Sequence, residues 1–140
     1  MQSSDIDLVQ ASFAKVAPIA DAAAEMFYAD LFATAPEVRP YFGAADMRAQ
    51  GSKLMATIGV VVNGLRDLDQ IVPVAQDLAV RHVGYGVQAE DYGKVGASLL
   101  RTLEKGLGDA WTPDTAQAWT SAYGILSAVM VAAAYPEAAE

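Results

Sequence analysis

The chain has 140 residues, 54% of them hydrophobic, which suits one domain with one core and is too apolar for a disordered chain. Nine Lys and Arg stand against seventeen Asp and Glu, a net charge of −8 with no basic run, so phosphate backbones and anionic bilayers are repelled and neither nucleic acid nor membrane is an expected partner. The absence of cysteine excludes disulfides, thiolate-ligated iron, iron–sulfur clusters, Cys-type zinc sites and cysteine nucleophiles.

In chain order, the N-terminus MQSSDIDL has neither a basic start nor an apolar signal core. The longest apolar runs, Ile58–Val62 and Ala128–Ala134, fall far short of the roughly 20 residues that span a bilayer. A cytoplasmic protein is therefore expected. Apolar residues recur at spacings of three and four, the helical period, and strand signals are weak. A first helix is predicted from about Ser4, with Asp7 as its capping partner and a stripe of Ile6, Val9, Phe13 and Val16. Pro18 separates it from a second helix with Ile19, Ala23, Phe27 and Leu31 in line, Tyr28 and Phe32 beside them. Thr34–Ala35–Pro36–Glu37 reads as a second capping box, opening a short turn that ends in Pro40–Tyr41–Phe42–Gly43.

A third helix is expected from about Asp46 to Arg66, with Met47, Gln50/Gly51, Leu54, Ile58, Val61/Val62 and Leu65 on one face. A fourth runs from about Asp69 to Val83, with Pro73 in its first turns and Ile71/Val72, Ala75, Leu78/Ala79 and His82 in line. Gly84 and Gly86 end it. A fifth carries Tyr92, Val95, Leu99 and Leu103 and stops at Gly106 and Gly108. Thr112–Pro113 opens the last, with Trp119, Tyr123, Leu126 and Met130 aligned and Tyr135–Pro136 closing it. The expectation is an all-α chain of six to seven helices forming one domain over residues 1–140.

Two polar residues interrupt apolar stripes. His82 lies on the inner face of its helix in the last turn, and Gln50 shares a row with Leu54 and Ile58. Buried polar groups need partners. A lone histidine in such a place is more often structural than a ligand. It cannot build a four-ligand zinc site here, but it can hold a haem iron, because the porphyrin supplies four nitrogens. Its second ring nitrogen would then point at the carbonyl one turn back, that of Leu78. Taken singly, Gln50, Tyr28 and Tyr41–Phe42 read equally well as ordinary core or stripe-edge residues.

Together these residues carry a resemblance. FYADLF (Phe27–Phe32), APEVRPYF (Ala35–Phe42), LAVRHVGYGV (Leu78–Val87) followed by Asp91–Tyr92, and GDAW…AWTSAYGIL (Gly108–Leu126) resemble the globins, in particular bacterial single-domain haemoglobins and the haem domains of flavohaemoglobins. The spacing from Phe42 to His82 fits the same pattern, and the likeness covers about Asp5 to Tyr135.

The resemblance implies a globin fold around a haem pocket and haem b (iron protoporphyrin IX) as cofactor. It implies His82 as the proximal iron ligand, Phe42 as the aromatic wedge against the ring, and Tyr28, Gln50 and Leu54 on the distal side. Tyr92 is implied as the proximal tyrosine, with Val87 and Val95 as further haem contacts. Lys53 and Arg81 fall where basic side chains meet haem propionates, although a solvated face suits them nearly as well.

Oxygen, nitric oxide and carbon monoxide are the implied ligands. The implied function is reversible oxygen binding, with nitric oxide dioxygenation as the alternative and gas sensing as a weaker third. No flavin or nicotinamide domain follows, so any reductase is expected as a separate protein. Two departures stand out. The glutamate that the flavohaemoglobin pattern places in the last helix is Ala134 here, which weakens the case for peroxide-like chemistry. Gly51 also replaces a frequent proline after the distal glutamine.

Overall fold

The computed structural model describes residues 2–43 and 46–134. The described residues form six α-helices: α1 (Ser3–Val16), α2 (Ala20–Thr34), α3 (Met47–Asn63), α4 (Leu68–Gly84), α5 (Asp91–Leu107) and α6 (Pro113–Ala134). Three 3₁₀ segments, Ala17–Ile19, Pro36–Phe42 and Gly108–Ala110, join them, and there is no strand among the described residues. The expected all-α fold is thus present. No helix among the described residues is long and apolar enough to cross a membrane.

The local signals hold at most joints and shift at a few. Pro18 sits in the 3₁₀ turn between α1 and α2, and Ile19 belongs to that turn, where it is exposed rather than part of the α2 stripe. The first capping box is displaced by two residues: Gln2 is the cap, and its N–H donates to the Asp5 carboxylate at 3.2 Å. Asp7 instead pairs with Arg66 at the far end of α3. The predicted box at Thr34–Glu37 does not form. Thr34 ends α2 and donates to the Asp30 carbonyl at 2.9 Å, while Glu37 pairs with Lys94. Asp46 caps α3 by accepting from the Arg48 N–H at 3.0 Å. That helix ends at Asn63, three residues before the expected Arg66. Pro73 lies inside α4 beyond the first turn, so the Asp69 carbonyl gives up one helical bond there. The predicted stop at Tyr135–Pro136 lies outside the described residues.

Packing divides the apolar stripes into three groups. The largest joins α1, α3, α5 and α6 through Val9, Val16, Val62, Leu103 and Trp119. Its one buried polar crossing is satisfied: Trp119 Nε1–H donates to Ser12 Oγ at 2.8 Å, and that hydroxyl donates to the Leu8 carbonyl at 2.6 Å. A second group, which holds Phe27, Tyr28, Phe32, Tyr41 and Phe42, joins α2, the 36–42 segment, α3 and α5. The third fastens α4 to α6 through Ala75, Ala79, Tyr92 and Met130. Helix α3 packs on α2 and α1, and α4 packs on α6, so consecutive helices α3 and α4 take their support from different partners. Of the site residues predicted from the sequence, Tyr28, Phe42, Leu54 and Val95 belong to the second group and Val87 and Tyr92 to the third.

Candidate functional site: a crevice between α3 and α4

On the α4 side, His82 stands half-buried in the last turn. Its Nδ1 lies 2.6 Å from the Leu78 carbonyl oxygen, the contact expected from the helical spacing. A carbonyl can only accept, so Nδ1 carries the proton and Nε2 keeps its lone pair for a ligand. The Tyr92 ring lies nearly parallel to the imidazole, with centroids 6.5 Å apart, and Tyr85 flanks it at 5.9 Å. Val87, Leu78 and Ala134 pack into the same apolar group as Tyr92. Ala134 therefore sits among the residues that surround Tyr92, where a carboxylate would be needed to charge the histidine through its neighbours.

Tyr92 is itself held by α6. Tyr123 Oη–H donates to the Tyr92 carbonyl at 2.6 Å, and burial raises the Tyr123 hydroxyl well above the ordinary tyrosine range, so it stays a donor. The Tyr123 ring reaches that carbonyl because Gly96 has no side chain: a Cβ there would stand 2.6 Å from the ring. A glycine within a helix costs about 1 kcal/mol against alanine, and here that cost admits the ring. Tyr123 is a supporting residue that the sequence showed only as one more member of the α6 stripe.

The opposite wall is aromatic. Tyr28 on α2 is buried and contacts three rings: Phe27 edge-on at 5.0 Å, Phe32 stacked at 5.8 Å and Phe42 edge-on at 5.4 Å. Leu54 and Val95 complete this group. Burial pushes the Tyr28 hydroxyl above the usual tyrosine value and the Gln50 side chain on α3 draws it part of the way back, so Tyr28 remains protonated at neutral pH. Gly51 lets α3 approach α2 closely, since a Cβ at that position would lie 2.9 Å from Ala24 Cβ. The aromatic stack adds Phe32 to the residues the sequence singled out, with the Arg39 guanidinium over its outer face at 5.1 Å.

The two predicted basic contacts are the least engaged. Arg81 is exposed and pairs with Asp77 one turn back, and Lys53 is exposed on α3. Among the described residues no cluster of three His, Cys, Asp or Glu could hold a bare metal ion. A single imidazole suits instead a metal that brings its remaining donors with it.

The chain matches the Globin family over residues 25–130. It is 31% identical over 126 residues to the flavohemoprotein of Bordetella parapertussis, covering 89% of this chain and 31% of that protein. It is 33% identical over 104 residues to the flavohemoprotein of Bacillus subtilis, covering 72% and 26%. To the flavohemoprotein of Schizosaccharomyces pombe it is 32% identical over 108 residues, covering 75% and 25%. The all-helical fold gives the class, and the family match makes it specific: this chain belongs to the globin family. It spans about a third or less of the length of these curated relatives.

Proposed function

We propose that this globin binds haem through His82 and reversibly holds oxygen on the opposite side. The observation that carries the reading is the His82–Leu78 contact, which engages Nδ1 and leaves Nε2 as the nitrogen to meet an iron. The haem is taken to be haem b, as the globin likeness implies; the absence of cysteine argues only against a thioether-linked haem. Phe42, Leu54, Val87 and Val95 supply apolar walls, and Tyr92 lies beside the proximal ring. Once bound, the haem supplies an iron able to take a diatomic gas.

The chain's own part is to orient and to donate. His82 is fixed in one tautomer by Leu78. The Tyr28 ring is held among Phe27, Phe32 and Phe42 with Gln50 near its hydroxyl, so a gas ligand that gathers negative charge finds a donor held in place. Each such bond is worth roughly 1.5–3 kcal/mol, about ten- to a hundredfold in affinity. Oxygen gathers more negative charge than carbon monoxide, so it gains more. With Ala134 among the residues around Tyr92, no carboxylate from that position pushes charge towards His82, which suits holding oxygen more than cleaving it.

The test is reconstitution of the purified protein with haem. Uptake should give a Soret band that His82→Ala abolishes or shifts, and a protein that takes up no haem refutes the reading. Mixing the oxygenated protein with nitric oxide, with and without a reductase, then separates oxygen holding from nitric oxide dioxygenation. Sustained turnover would favour the enzyme.

A further inference from the structure

Asp91 is a charged residue buried to 3% exposure, and no step of oxygen binding uses it. Its carboxylate collects three donors: the Tyr41 hydroxyl at 2.9 Å, the Gln88 N–H at 2.8 Å and the Lys94 ammonium at 3.1 Å. Lys94 in turn pairs with Glu37 at 2.8 Å. Tyr41 and Glu37 belong to the 36–42 segment, while Asp91 and Lys94 open α5. The Tyr41 ring also lies over Gly86, in the turn that follows α4. A buried charge on this scale persists only when its partners are complete.

The position of the cluster gives it meaning. Tyr41 immediately precedes Phe42, and Asp91 immediately precedes Tyr92. Each arm therefore carries a crevice residue at its next position. The 36–42 segment is a 3₁₀ coil with two prolines, which makes few internal bonds of its own and needs an external anchor. We propose that the Tyr41–Asp91–Lys94–Glu37 cluster is a clamp that fixes Phe42 relative to Tyr92 and so sets how long the crevice retains its haem. These are positioning residues, and the proposal rests on the haem reading given above.

Tyr41→Phe keeps the ring on Gly86 and removes one bond to a charged acceptor; Lys94→Met keeps the stem and removes both ion pairs. Each should speed haem transfer to an excess of an apo-acceptor by roughly tenfold, the lower end of the range for a bond to a charged group. Lys94→Arg should restore the wild-type rate. Hydrogen exchange at the Phe42 and Gly43 amides should rise in parallel with and without haem, a local signature that general destabilisation does not give. Asp30→Asn is the control. It loosens the pin between α2 and α5, where Arg101 grips Asp30 through Nε at 3.0 Å and Nη2 at 2.6 Å, and it should lower the melting temperature without changing haem loss. Haem loss and exchange at wild-type levels in both Tyr41→Phe and Lys94→Met would overturn the clamp, as would an equal effect of Asp30→Asn. A wild-type protein that takes up no haem refutes the haem reading instead, and the exchange at Phe42 and Gly43 then decides the clamp alone.

Discussion

The two sides of the candidate site are built in opposite ways. The α2–α3 wall is a stack of large rings: Phe27, Tyr28, Phe32 and Phe42 touch in sequence, and Gln50 stands near the Tyr28 hydroxyl. The α4 wall is held by small residues. Ala75 and Ala79 are almost wholly buried against α6, while Val74, Val80, Val83 and Tyr85 on and just after the same helix remain exposed. One side is thus set by its own packing before any ligand arrives. The other depends on a narrow alanine seam and on what fills the crevice. Large aromatic contacts fix the Tyr28 ring, whereas the helix bearing His82 rests on α6 through small side chains.

Overfilling the seam is the sharpest way to break this contrast. Ala79→Leu adds three carbons at a position with no exposure. It should lift α4 from α6, cost about 1–3 kcal/mol in stability and more than that in haem affinity, because His82 moves with the helix. Thermal melting with and without haem checks both. An equal loss in the two melts would mean that α4 is as rigidly preset as the aromatic wall.

Tyr28→Phe tests the other side with a smaller change. The ring contacts survive, so the stability loss should be about 1 kcal/mol, that of one neutral hydrogen bond. The oxygen off-rate should rise roughly ten- to a hundredfold if the hydroxyl is a charge-assisted donor. Burial holds the Tyr28 hydroxyl above the ordinary tyrosine range despite the Gln50 side chain, so deprotonation lies on the alkaline side. The wild-type off-rate should therefore be flat through neutral and mildly alkaline pH, as flash photolysis or stopped flow would show. An unchanged rate in Tyr28→Phe would remove this residue from the site.

What the sequence disclosed follows from the range of the interaction involved. Helical stripes and the His82–Leu78 contact are local, set by residues three or four apart, and they stood in the structure as expected. The caps failed where a distant partner competed. Asp7 was drawn away by Arg66, and Glu37 by Lys94. The Asp91 cluster joins residues about fifty positions apart, and nothing in a pattern of threes and fours could pair Tyr41 with Asp91. Tyr123 was visible as an apolar-face residue, but its role required Gly96, whose missing side chain makes sense only across two helices. The globin likeness supplied the distal residues, which periodicity alone left as ordinary core.

The smallest expected effect probes the α4 wall chemically rather than mechanically. Ala134 packs among Tyr92, Val87 and Met130 and is only partly buried, so Ala134→Glu can be accommodated at the end of α6 with a modest loss of stability. A carboxylate there would join the groups around Tyr92 and, through hydrogen bonding on the proximal side, raise the basicity of His82. The ferric–ferrous potential should fall, and the reaction with peroxide should quicken by up to about tenfold, the lower end of what such supporting groups contribute. Ala134→Gln separates charge from bulk and should leave both values near wild type. If Glu and Gln behave alike, the proximal side is insensitive to charge at this position. The preference for holding oxygen would then have to come from the aromatic wall alone.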